Sequence, residues 1–152
     1  MYLKNSFFAR KWITLRGNMT MTDDQCKKIF SQNVLDNIFP PDRADRFFEA
    51  LFGDVSEGAY DIALAYSGVS KNHIDFGFQL KQRAGKCLSC SLTYGLPIVF
   101  NRHPIIDING IIREIDSLLP SGKRCGQWHL GQTREASPTL HEIPLSIAVT
   151  DA

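Results

Sequence analysis

The chain has 152 residues, 43% of them hydrophobic and 22% charged, with a formal net charge of +1. That is one domain's worth of sequence, long enough to bury a core without staples. The composition excludes disordered and collagen-like classes, near-neutrality argues against nucleic acid as a dominant partner, and no apolar run approaches the ~20 residues a membrane span needs.

The first 18 residues, MYLKNSFFARKWITLRGN, carry Lys4, Arg10, Lys11 and Arg16 and no acid. Arg10 and Lys11 interrupt the apolar stretch and no small-x-small cleavage site follows, so a secretory signal does not fit. A transit peptide or a membrane-surface anchor is compatible with such a leader. The simpler expectation is a natural start at Met19 or Met21, just before a strong helix signal, with the leader an upstream extension or loose arm. The expected organisation is therefore a basic arm over 1–20 and a single domain over 21–152. Cys26, Cys87, Cys90 and Cys125, without a signal, read as reduced thiols in a cytoplasm.

Thr22-Asp23-Asp24-Gln25 reads as a capping box with acids suited to the helix dipole. Cys26, Ile29, Phe30, Val34, Leu35 and Ile38 follow as one helical stripe, and Pro40-Pro41 ends it. A second helix is predicted from about Asp42 to Phe52, with Ala44, Phe47, Phe48, Leu51 and Phe52 in phase and Gly53 as its cap. The period then changes to two. Tyr60, Ile62, Leu64 and Tyr66 share one strand face, and Ile74, Phe76, Phe78 and Leu80 another, with SGVSKN as the hairpin turn. CLSCSLTY continues the alternation as a third strand, Leu88, Cys90, Leu92 and Tyr94 on one side, Cys87, Ser89, Ser91 and Thr93 on the other. The run from Gly95 to Pro104 reads as a connection broken by Gly95, Pro97 and Pro104. A third helix is predicted from about Asn109 to Leu119, burying Ile111, Ile112, Ile115, Leu118 and Leu119. Two last strands follow near Cys125–Thr133 and His141–Val149. Pro144 cannot donate to a ladder, which places the last strand at an edge or bulges it.

The order ααβββαββ predicts an α+β fold, one antiparallel sheet of about five strands with helices on one face. The opposite face would be small and polar: Ala63, Ala65, Asp75, Gly77, Gln79, Ser89, Ser91, Thr93 and Ser146. Such a face is either solvated or a surface for a dimer or a ligand.

The pair Cys87-x-x-Cys90 raises the question of a metal or redox site. Cys125 and His129 would complete a tetrahedral zinc set. On a strand, however, residues i and i+3 face opposite ways about 10 Å apart, which neither zinc nor a disulfide tolerates. The set therefore requires a turn at GKCLSC instead of a strand. A redox pair would sit at a helix N-terminus that lowers a thiol pKa. Cys87 with His103, His129 or His141 could form a nucleophile pair, but no oxyanion-forming glycine turn precedes a helix. The segment from Tyr94 to Pro104, after a central strand, offers Arg102 and His103 to a ligand at the sheet's end, with Trp128 and His129 as a second wall; alternatively it is a stiff crossover. RNA binding by the sheet would need aromatics on the open face, whereas Tyr60, Tyr66, Phe76 and Phe78 fall on the covered one.

The runs EGAYDIAL, FQLKQRAGKCLSCSLTYGLPIVFNRHPII, WHLGQT and LHEIPLSI resemble an uncharacterised family of small bacterial proteins, some of which carry the name "pancreas/duodenum homeobox protein". The resemblance covers about Val34 to Ile147. It implies a bacterial cytoplasmic protein and carries no catalytic residue, because the family has no assigned activity. The homeobox name does not suit this chain: NGIIREIDSLL lacks the basic recognition surface a homeodomain needs. The expected function is a non-enzymatic module that binds a small ligand or a protein, with Tyr94, Arg102, His103, Trp128 and His129 as ligand residues, no cofactor, and a homodimer through the small-residue face. The alternative is a zinc-binding or thiol-dependent protein using Cys87 and Cys90, with Cys125 and His129 as further zinc ligands.

Overall fold

The computed structural model describes residues 20–89 and 93–152. The leader through residue 19, and Cys90, Ser91 and Leu92, lie outside the described residues.

Thr22 and Gln25 form the expected capping box, Gln25 N–H donating to Thr22 Oγ1 at 3.2 Å and Thr22 N–H to Gln25 Oε1 at 2.9 Å. The helix they start, α1 (Asp23–Ile29), ends earlier than its stripe predicts, and a second, α2 (Gln32–Ile38), begins after Ser31. The break at Phe30 serves two contacts. The Phe30 ring meets Phe76 edge-on at 5.2 Å, and Gln32 Nε2 donates to the carbonyl of Leu64 at 2.9 Å. Leu64 lies on the first strand, which has a neighbour on one side only, so Gln32 caps an otherwise open edge carbonyl. Helix α3 (Asp42–Phe52) has its predicted bounds, with Ala44, Phe47 and Phe48 buried, Leu51 and Phe52 of the expected stripe exposed, and Gly53 ending it in a left-handed conformation at φ 75°.

Strands β1 (Tyr60–Val69) and β2 (His73–Gln82) form the expected hairpin, Leu64 opposite Phe78 and Ile62 opposite Leu80. The predicted third strand is not formed over its described residues. Cys87–Ser89 follow a turn in which Gly85 has φ 74°, and Thr93–Gly95 form a 3-10 turn. The reason lies in β2, both of whose edges are occupied, one by β1 and the other by β5 (Leu140–Asp151) from His73 to Lys81. No edge of β2 is left for a meander strand. The segment read as a connection instead holds helix α4 (Leu96–Arg102), with Pro97 in its first turn, where a missing N–H is harmless. Helix α5 (Ile108–Leu118) buries Ile108, Ile111 and Ile115, whereas Leu118, expected in the same stripe, is exposed.

Strands β3 (Lys123–Leu130) and β4 (Arg134–Ser137) both pair with β5, β3 along its C-terminal half and β4 at its start. The result is an antiparallel five-stranded sheet in the order β1-β2-β5-β3, with β4 beside β3 on the same edge of β5. β5 is thus central, which removes the edge position, one of the two outcomes that Pro144 allowed. Pro144 sits where β3 gives way to β4. Its carbonyl accepts Gly131 N–H at 2.8 Å, so its missing donor faces that same interruption and no ladder bond is lost.

The core lies between this sheet and the helices. Phe78 meets Phe39 and Phe100 edge-on at 5.6 and 5.4 Å, and Phe100 meets Phe47 at 5.5 Å. Edge-to-face packing of this kind adds to the burial of the rings themselves. Among the described residues, no helix is long and apolar enough to cross a membrane.

Candidate functional site

Along β5, His141 is in phase with Ile143, Leu145 and Ile147, so a histidine occupies a core position of the strand. It lies opposite Leu80 of β2 and Glu135 of β4, and only 1% of the residue is exposed. Its Nδ1 is 2.8 Å from Oγ1 of the buried Thr93. The Thr93 carbonyl in turn accepts from Thr133 Oγ1 at 2.7 Å. The other ring nitrogen, Nε2, is buried with no hydrogen-bond partner and stands 3.9 Å from Glu135 Oε1. That carboxylate oxygen instead accepts the Tyr94 hydroxyl at 2.7 Å, a bond that raises the Tyr94 pKa by holding its proton. The cluster thus joins the 3-10 turn before α4 to β4 and β5, with Tyr94 and Glu135 exposed and the imidazole beneath.

The turn that carries Cys87 adjoins this cluster. Leu88 is fully buried and its N–H donates to Gln82 Oε1 at 3.0 Å, while Gln82 N–H bonds Thr139 O at 2.9 Å. Cys87 is exposed and disulfide-bonded, contrary to the expectation of reduced thiols throughout. Cys26 and Cys125 are free. Burial, helped by the Asp116 carboxylate, pushes the Cys125 thiol up to about 12, a poor setting for a thiolate.

The described members of the zinc set, Cys87, Cys125 and His129, are not gathered, and Cys90 lies outside the described residues. Cys125 pairs with Val149, nine residues along β5 from Leu140 at its start, which is roughly 30 Å of strand. His129 is exposed and lies opposite Ser146, a residue of the open face. Among the described residues, no group of three or more His, Cys, Asp or Glu could hold a metal ion. The five expected ligand residues are likewise dispersed. Tyr94 belongs to the His141 cluster. His103 ends α4, its Nδ1 accepting Ile105 N–H at 3.2 Å and its ring edge-on to Phe47 at 4.9 Å. Arg102 is exposed. Trp128 donates to Asn109 Oδ1 on α5 at 3.2 Å.

On the open face, Ala63, Ala65, Asp75, Gly77, Gln79 and Ser146 stand as expected, in rows that also contain Glu142 and Pro144. Ser89 and Thr93 do not belong there: Ser89 is in a turn and Thr93 is buried beside His141. Two pairs of the face's polar groups bond one another. Ser146 Oγ donates to Asp75 Oδ1 at 2.7 Å, and Arg134 bonds Glu142 at 2.9 Å. The Glu142 side chain lies across Gly77, leaving no room there for a Cβ.

Comparison with protein-family models, with curated proteins and with solved structures found no match to this chain.

Proposed function

We propose that the protein is a non-enzymatic binding module that associates with a second copy of itself through the uncovered face of its sheet. The observation that supports this most is that two pairs of that face's polar groups bond each other, Ser146 with Asp75 and Arg134 with Glu142. Around the small centre of Ala63, Ala65, Gly77 and Pro144, little has to be desolvated without a partner. Four strands about 4.8 Å apart, each giving about seven residues at about 3.3 Å, make a face of roughly 400–450 Å². That is below the roughly 800 Å² per partner of a stable complex, so the expected dimer dissociates in the micromolar range. Sedimentation velocity across a concentration series should show this equilibrium. Ala65→Arg should raise the dissociation constant roughly tenfold or more while leaving thermal unfolding within about 2 °C, because the site is outside the core. A strict monomer at high concentration removes the proposal.

A second reading, a thiol-dependent protein using Cys87 and Cys90, is favoured by the disulfide at Cys87. The resemblance to small bacterial proteins supports a cytoplasmic setting, where disulfides are transient and catalytic or redox-sensing more often than structural. On this reading the denatured, unreduced protein titrates two of its four thiols and the reduced protein all four. Finding all four thiols reactive before reduction would sink it.

A further inference from the structure

We propose that the cavity at the turn end of the sheet binds a small amphipathic carboxylate, its apolar body on the cavity floor and its charged head at Lys71 and Lys123. The cavity lies where the β1–β2 turn, the start of β3 and the end of β5 meet Thr20 and Met21, and it measures about 640 Å³. Sites for small molecules occupy about 300–1,000 Å³. The floor is apolar. Ile74 is buried, and Met21, Val69 and Val149 pack partly buried against the core. Val69 lies opposite Ile74, and Val149 is in phase with Ile147, so the floor continues the covered face of the sheet. Backbone bonds hold its wall in place, Ser70 N–H donating to the His73 carbonyl at 2.9 Å and Val149 N–H to that of Asn72 at 2.8 Å. The turn is thus tied to its own hairpin and to β5, and a ligand has little left to order.

The charges of the lining set the sign of the ligand. Lys123 has 19% of its side chain exposed and donates from Nζ to Asp151 Oδ1 at 2.5 Å, whereas the Asp151 side chain is 71% exposed. An ammonium has three donors and this bond uses one. The position therefore already takes a carboxylate oxygen and has capacity for another. An ion pair with so exposed a partner holds weakly and yields to a better-placed acceptor. Lys71, exposed in the turn, makes no ion pair among the described residues. Asp151 is the one acidic residue in the described lining, against these two cations. A cationic ligand would meet two ammonium groups, and an inorganic anion would leave the apolar floor uncovered. A carboxylate on a short hydrocarbon chain satisfies both parts, with charge-assisted bonds at the head and burial of the chain on the floor.

The test is titration of the full chain with sodium octanoate, followed by calorimetry and by backbone amide shifts. The expected result is one-to-one binding, shifts confined to residues 69–74, 123 and 148–151, and roughly tenfold or greater weakening in Lys123→Met. Acetate and 1-octanol, the head and the chain taken apart, should each bind at least about tenfold more weakly. Lys71→Met lies in an exposed turn, should stay folded by circular dichroism, and should weaken octanoate at least about threefold, so the proposal is testable even if Lys123→Met does not fold. Ala65→Arg, on the opposite face of the sheet, should bind octanoate as the parent does. No shift in these residues at millimolar octanoate overturns the proposal. So does octanol binding as tightly as octanoate, or an affinity unchanged in Lys71→Met and in any folded Lys123→Met. Binding that Ala65→Arg abolishes would also overturn it and assign the ligand to the sheet-face dimer.

Discussion

Phe78→Ala should lower the stability of the fold by about 3–5 kcal/mol, the range for truncating a fully buried aromatic ring. Phe78 has no exposed surface, stands in register between Leu64 and Ile143, and meets two further rings edge-on. Those neighbours come from four elements besides its own: β1, β5, the Phe39 end of α2, and α4. Few of them can relax into the space without disturbing another contact, which places the loss toward the upper end. For a chain of this length the melting temperature should fall by about 10 °C or more. Phe78→Leu, which keeps most of the volume, should lose about 1–2 kcal/mol. Ile98→Ala provides the control: Ile98 is 72% exposed, and its truncation should stay within about 0.5 kcal/mol. Urea unfolding of the three variants checks the order. A loss below about 1 kcal/mol for Phe78→Ala would mean that the ring does not join sheet to helices as described.

How far this architecture could be read in advance depended on the kind of signal. The β1–β2 hairpin, α3 and α5 were legible because each repeats its period over many residues and ends at a residue with a definite stopping role, such as Gly53. The break between α1 and α2 was not. Phe30 and Ser31 contain no glycine or proline, and the helix divides there because of what Phe30 and Gln32 reach on β1, β2 and the sheet edge. The CLSC segment failed for a non-local reason as well. Its alternation suits a strand, but strand formation needs a free edge, and β5 takes the one β2 had left. Ile143, Leu145 and Ile147 make that pairing the more stabilising one, since each is fully buried. Pro144 shows the converse. Of the two outcomes its missing donor allows, an edge position or a local irregularity, the constraint concerns one N–H and is met by a local gap between β3 and β4.

The His141 cluster was half visible. Counting in steps of two back from Ile143 puts a histidine among core residues, and that phase is present in HEIPLSI. What could not be read was its company. Thr93, Tyr94, Thr133 and Glu135 are 48, 47, 8 and 6 positions away along the chain, and they meet only because a 3-10 turn, a bend and the four-residue strand β4 converge there. Arg102 with His103, and Trp128 with His129, are each adjacent in sequence. The fold gives them different surroundings, since His103 ends α4 against Phe47 of α3 and the alternation of β3 sends Trp128 and His129 to opposite sides.

Asp107→Ala should cost about 2 kcal/mol, and the companion variants show why. Asp107 precedes α5 in the left-handed region, at φ 49° and ψ 63°, the one such non-glycine among the described residues. It is also the helix N-cap, its Oδ1 accepting Gly110 N–H at 3.1 Å. These two roles pull differently on substitution. Alanine loses the cap, about 1 kcal/mol in a typical protein, and tolerates the backbone conformation less well than aspartate, by up to about 1 kcal/mol. Asparagine keeps a capping oxygen and tolerates this region, so Asp107→Asn should be within about 0.5 kcal/mol of the parent. Glycine gives up the cap at a cost of a few tenths relative to a polar cap and removes the strain altogether, so Asp107→Gly should be near neutral. Gly110→Ala tests the same contact from the other side, because a Cβ there would run into the Asp107 carboxylate; it should destabilise although alanine is the better helix former. Thermal unfolding of the four variants separates the two contributions. Were Asp107→Ala and Asp107→Gly equally destabilising, the backbone conformation would play no part and the cap alone would hold the start of α5.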